Sequence, residues 1–203
     1  MIWPTGPFPC ILADPPWRFR VWSRRGLGRS AERYYPTLTI EDIKAFPVGD
    51  IAAPDAFLFL WCTGPFIALG HHVDVIRAWG FEPSGIMFTW AKLNRNAVPP
   101  YTTNSFWMGM GYNSRHNVEI CFLGRRGSPQ RKSYGVRELI VAPLREHSRK
   151  PIEAHQRIED FCLGPRLELF AREQPATRHS DQWTVFGDQI EAGFAGPKRK
   201  RRP

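Results

Sequence analysis

The sequence predicts one α/β domain built on a mostly parallel central sheet. Three observations carry this. Short apolar runs such as Cys10–Ala13 and Ala56–Trp61 have the length and continuity of strands buried on both faces. Longer amphipathic segments separate such runs, giving the strand-helix-strand alternation of a parallel sheet. At 203 residues, with 42% hydrophobic and 13% aromatic content, the chain has material for one core and no second domain.

The elements follow in order. Cys10–Ala13 is a strand stopped by Asp14-Pro15-Pro16-Trp17. Thr39 caps a helix over 40–46, with Asp42 three residues on as an imperfect capping box. After the strand Ala56–Trp61, Gly64-Pro65 opens a helix to about Trp79 that Gly80 stops, with Leu69, Val73 and Ile76 on its inward face. Residues 84–92 and 118–123 form further strands around a long glycine-rich stretch, 94–117. A short strand covers 139–142. Pro151 begins a helix through Cys162, with Ile152, His155, Ile158, Phe161 and Cys162 inward. Residues 167–172 and 182–186 are the last strands. From Gly193 onward, glycine, proline and basic residues argue a disordered tail, so the domain occupies 1–192 and the tail 193–203.

The segment Asp14-Pro15-Pro16-Trp17 has a chemical logic of its own. The prolines fix φ and push the residue before them to extended backbone, so Asp14 stands at a strand's carboxyl end with its direction set. Ligands of open α/β sheets bind at that edge. Pro15 and Pro16 lack N–H groups, so the segment presents mainly acceptors, and an indole face can stack on a flat ring. Such a set suits a planar substrate with an exocyclic amine, for example adenine. A proline-rich turn with a packed tryptophan is the competing reading.

This segment resembles the signature of adenine-N6 methyltransferases, and tryptophan in its fourth place is similar to the MT-A70 family. The resemblance runs from about Pro9 to Ile190, with its pieces in the family's order. It implies a Rossmann-like methyltransferase domain of permuted motif order, the catalytic motif preceding the cofactor strand. It also implies S-adenosyl-L-methionine as cofactor. Asp14, Pro15, Pro16 and Trp17 would be the catalytic set, with Trp17 stacked on the base. Asp14, Lys150, Glu168, Arg172, Asp188 and Gln189 would hold the cofactor, Lys150 taking its carboxylate. Asp188 stands where the family usually has Asn. Tyr34, Tyr35, Trp90 and Lys92 would face the substrate, and Glu119 would be structural. Trp90 reads equally well as core.

Net charge is +9, and Lys198–Arg202 supplies five of it. Basic chains favour polyanions, which suits nucleic acid; with the resemblance, taken as to the family's bacterial or phage type, the expected substrate is DNA ahead of RNA. The loop after Trp17 alternates arginine and aromatic residues, and residues 125–133 could add a phosphate-binding rim. The four cysteines are widely spaced and read as reduced thiols of a cytoplasmic protein; no metal spacing, leader or membrane span is expected. Three rival functions remain: an RNA adenosine methyltransferase, a glutamine-amide methyltransferase, and a non-catalytic nucleic-acid-binding subunit. Asp14 and Trp17 argue against the second, and the intact acidic motif against the third.

Overall fold

Buried strands of this chain assemble in one seven-stranded sheet. A computed structural model describes residues 2–18, 37–109, 113–145 and 149–187. The strands are β1 (Phe8–Ala13), β2 (Ala52–Cys62), β3 (Glu82–Leu93), β4 (Val118–Arg126), β5 (Leu139–Pro143), β6 (Arg166–Leu169) and β7 (Trp183–Phe186). Their order is β5-β3-β4-β2-β1-β6-β7. Pairs β1-β2, β1-β6, β6-β7 and β3-β5 are parallel, so the sheet is mostly parallel as expected. Strand β4 runs antiparallel to both its neighbours. Sequence reading gave β4 no direction. It follows β3 through a loop, with no crossover helix described, and an antiparallel neighbour needs none.

Alternation along the central strands sorts side chains into two cores. On one face, Ile11, Ala13, Leu58 and Leu60 pack under α1 (Ile40–Lys44), α2 (Val48–Ile51), α3 (Gly64–Ala68) and α4 (His71–Ala78). On the other, Cys10, Leu12, Phe57, Phe59 and Trp61 pack under α5 (Ile152–Phe161). All four cysteines are buried free thiols.

Local chemistry explains the boundaries. Helix α1 starts on a complete capping box: the Asp42 N–H donates to Thr39 Oγ1 at 3.1 Å, and the Thr39 N–H to Asp42 Oδ2 at 3.1 Å. The single helix expected from Gly64 to Trp79 is two, because Gly70 adopts φ 76°, a left-handed conformation that ends α3 and precedes α4. The inward face shifts with it. Leu69 is 68% exposed, while Val75, Ile76 and Trp79 enter the core. Pro151 is the N-cap of α5 and not its first helical residue, and Ile152 is only partly buried. The strand expected through Arg172 stops at Leu169, since Phe170 takes φ 62°.

Candidate active site

Asp14 leaves the carboxyl end of β1, in the middle of the sheet. Register aligns Ala13 with Leu60 of β2 and Leu169 of β6, so Asp14 is flanked by the ends of both strands. The chain then folds back over β2 and is fastened there. The Trp17 N–H donates to Pro15 O at 2.8 Å, and the Leu38 N–H to Pro16 O at 2.9 Å. The Trp17 indole N–H donates to Trp61 O at 3.1 Å. These contacts fix the backbone that follows Asp14.

They also reassign Trp17. Its side chain is 4% exposed, tilted against Phe66 at 5.2 Å, and part of the core. In this arrangement no open indole face meets a base. Turning at the prolines carries the ring inward, where burial of a large aromatic and satisfaction of its N–H both favour it. The Pro15 carbonyl, already bonded to Trp17, keeps one lone pair for a further donor.

Asp14 joins a chain of four charges across the sheet edge. Lys150 Nζ lies 2.6 Å from Asp14 Oδ2 and 2.9 Å from Glu119 Oε1. Lys92 Nζ lies 2.7 Å from Glu119 Oε2. Carboxylate and ammonium alternate, so the set is neutral. The inner members, Lys150 and Glu119, have side chains 7% and 6% exposed; the ends, Asp14 and Lys92, reach 30% and 19%. Asp14 is thus the opening of a buried network.

The protonation of these groups follows from that burial. Desolvation works against ionised Glu119, but Lys150 and Lys92 outweigh it and hold the carboxyl at about 2. Desolvation likewise opposes the Lys150 charge, and Asp14 with Glu119 overcomes it, raising the ammonium's pKa. At Asp14 burial raises the carboxyl's pKa, against the pull of Lys150 and, more weakly, Arg172, while the Glu119 carboxylate adds to the rise. The Asp14 side chain keeps 30% exposure, which moderates that rise.

Lys150 therefore does more than await an anion. Two of its three donors are committed, and its ammonium also sits 5.5 Å from the centroid of the Trp61 ring. Glu119, read from sequence as structural, is the bridge between Lys150 and Lys92. Its strand position signals this: it shares the inward face of Cys121, where an acid requires partners.

Other expected residues fall as follows. Trp90 is fully buried, and its indole N–H donates to Ala142 O at 3.0 Å, so it is core and offers no face to a base. Glu168 Oε2 lies 2.9 Å from His155 Nε2, with both side chains largely buried. Arg172 is partly buried beyond the end of β6. Arg125 and Arg126 pair with Phe57 and Ala56, at the end of β2 remote from Cys62. Six residues of strand, about 20 Å at ~3.4 Å each, separate Ala56 from Cys62. Those arginines therefore form no rim beside Asp14, and Arg126 instead donates to Gly49 O at 2.6 Å. Tyr34, Tyr35, Asp188, Gln189, the arginine-rich loop and the basic tail lie outside the described residues. Among the described residues, no group of three or more His, Cys, Asp or Glu is placed to hold a metal.

The same sheet edge also holds polar groups available to a bound molecule. Thr63 Oγ1 and Trp61 Nε1, at the carboxyl end of β2, are buried with no hydrogen-bond partner among the described residues. The N-cap Pro151, next to Lys150, makes no side-chain cap, leaving the first N–H groups of α5 to attract an anion. The turns after β6 and β7 meet so closely that a Cβ on Gly187 would lie 1.9 Å from Ala171 O. Only glycine lets that crossing form.

The MT-A70 family model matches residues 8–189, which span all seven strands. The chain belongs to the MT-A70 family. It is 30% identical over 189 residues to the N(6)-adenosine-methyltransferase catalytic subunit METTL3 of Homo sapiens, covering 92% of this chain and 29% of that protein. It is 29% identical over 191 residues to the N(6)-adenosine-methyltransferase MT-A70-like protein of Drosophila melanogaster, covering 92% and 27%. To the type II methyltransferase M.MunI of Mycoplasma sp it is 27% identical over 187 residues, covering 83% and 74%. The chain thus spans under a third of the eukaryotic relatives and most of the bacterial one.

Proposed function

We propose that this MT-A70 chain is an S-adenosylmethionine-dependent methyltransferase acting on N6 of adenine in DNA. One observation carries the reading: the Asp14 carboxylate, at the end of the central strand, opens to solvent at the head of an otherwise buried, neutral charge network. The N(6)-adenosine-methyltransferase activity named for its relatives supports the choice of atom.

When bound, S-adenosylmethionine supplies an electrophilic methyl group on a sulfonium. Every other step belongs to the chain. Asp14 Oδ1 has no partner among the described residues and accepts one N–H of the substrate amine. The remaining lone pair of Pro15 O accepts the other. Two acceptors draw the amine out of conjugation with the ring and aim its lone pair. Orientation is the main contribution, and the proton leaves readily after methylation. Lys150 holds Asp14 through Oδ2 and keeps one donor for the cofactor's carboxylate beside the start of α5. Glu168, Arg172, Asp188 and Gln189 hold the rest of the cofactor, and Lys92 lines the substrate side. Trp17 serves by fixing the acceptors. In duplex DNA the adenine must be flipped out of the stack.

RNA adenosine is the second reading, favoured by the adenosine-methyltransferase names of the eukaryotic relatives. Parallel assays on matched DNA and RNA oligonucleotides with labelled cofactor separate the two. Label in N6-methyladenine of DNA is expected; label in RNA alone makes the second reading correct. A calorimetric titration with S-adenosylmethionine tests the non-catalytic subunit alternative, which predicts no heat of binding.

A further inference from the structure

A basic feature lies away from the proposed catalytic edge. The segment between β4 and β5 packs against the later turns of α5 and borders an open cleft of about 470 Å³. Lys132, Arg137 and Arg157 line it, with Ser133, Val136 and a single acid, Asp160. Asp160 already faces Arg178, at 3.7 Å. The positive charge of the lining is therefore in excess.

The cations differ in how firmly they are held. Arg157 Nη1 donates to the carbonyls of Arg137 at 2.6 Å and Leu139 at 2.8 Å, which fixes the guanidinium and leaves its Nε and Nη2 donors. Lys132 Nζ donates to Glu159 O at 3.2 Å and keeps two donors. Arg137 is exposed at the mouth. Beside the cleft, the Arg131 guanidinium stacks 4.3 Å from the centroid of Tyr134, whose side chain is 80% exposed. An exposed ring carrying a cation, next to preorganised donors, is the composition of a nucleic-acid contact: rings for bases and cations for phosphate.

We infer that this cleft is an auxiliary nucleic-acid site, binding a backbone phosphodiester while Tyr134 receives a neighbouring base. The inference rests on the nucleic-acid substrate proposed above. Its position suits an extended ligand. Arg157 is six residues from Pro151 along α5, about 9 Å of axis at ~1.5 Å per residue. At ~3.4 Å of rise per nucleotide, that displacement corresponds to roughly three nucleotide steps from the Lys150 level. The cleft would hold flanking polymer and contribute affinity without touching the target base.

The test uses the whole chain and a fluorescein-labelled, adenine-containing oligonucleotide, with anisotropy recorded across a salt series. Wild type is compared with the double variant Arg131→Gln/Arg137→Gln, whose side chains make no described hydrogen bond and support neither core. Each lost phosphate contact should flatten the slope of log affinity against log salt by about 0.9 on duplex. A fall of about one to two, with roughly tenfold weaker binding at low salt, is expected. Methyl transfer to a trinucleotide, too short to bridge from Asp14 to the cleft, should keep its wild-type rate. Unchanged slope and affinity in the variant overturn this site and leave the proposed function standing. Failure of the wild-type chain to bind any oligonucleotide overturns both.

Discussion

Asp14 occupies a costly position, and the cost is informative. Burial raises its carboxyl's pKa, which works against the charged form, while that charge supports the buried Lys150 ammonium, so the two effects oppose each other at neutral pH. Asp14→Asn removes that charge at nearly constant shape. Turnover should fall by at least about a thousandfold, while the melting temperature stays nearly level, the pattern of a group retained for function. Thermal unfolding alongside methyl-transfer assays checks this; a variant that unfolds early would make Asp14 a structural residue. Glu119 has the opposite sign. Held at about 2 against an ordinary 4.5, it binds fewer protons folded than unfolded. Its contribution is complete above pH 4.5 and is lost as pH falls towards 2. Glu119→Gln should therefore flatten the acid limb of the stability curve by on the order of 3 kcal/mol. Denaturant midpoints measured between those pH values report it, and an unaltered limb would mean the pairing with Lys150 and Lys92 is energetically idle. A packed Trp17 and a structural Glu119 were both legible in the sequence as readings, but their partners were not, because those depend on which strands become neighbours.

At the scale of elements, the loop Asp14–Trp17 is held by the end of β2. Trp17→Phe deletes the indole bond to Trp61 O and leaves that buried acceptor unsatisfied, at a cost of about 1–3 kcal/mol. Activity should drop mainly in kcat, since Asp14 and the Pro15 carbonyl, the acceptors for the substrate amine, lose alignment more than the site loses contact area. A steady-state series on oligonucleotide substrate would reveal instead a pure KM effect if Trp17 stacked on the base. Gly187 marks another crossing. Gly187→Ala drives a Cβ into the backbone of Ala171, so it should destabilise the fold and weaken cofactor binding together. Calorimetry and thermal unfolding measure both losses. Sequence reading found every strand, since continuous apolar runs bounded by turn residues carry that signal. It missed the break in the helix after β2: an isolated glycine inside an apolar-periodic segment does not by itself mark a turn, and only the left-handed φ of Gly70 shows that the chain turns there.

The described residues form one sheet with two cores, and the charge network opens at the carboxyl ends of β1 and β2. That edge was legible because Asp14-Pro15-Pro16-Trp17 follows a buried run so abruptly. The reversal of β4 was not, and it has a structural consequence: it brings Glu119 to the edge where Asp14 lies and sends Arg125 and Arg126 to the opposite one. Charge acts at this scale too. Removing 198–203 subtracts five of the nine net positive charges and should weaken nucleic-acid binding at low salt, with little change at high salt. Salt-dependent binding by the truncated chain decides whether the tail takes part. The central claim concerns Asp14 and adenine. Its most direct measurement is mass spectrometry of adenine-containing DNA after incubation with S-adenosylmethionine and either wild-type chain or Asp14→Asn. The account predicts N6-methyladenine with wild type and none above background with the variant. Equal N6-methyladenine from both, or methylation at another atom, would contradict it.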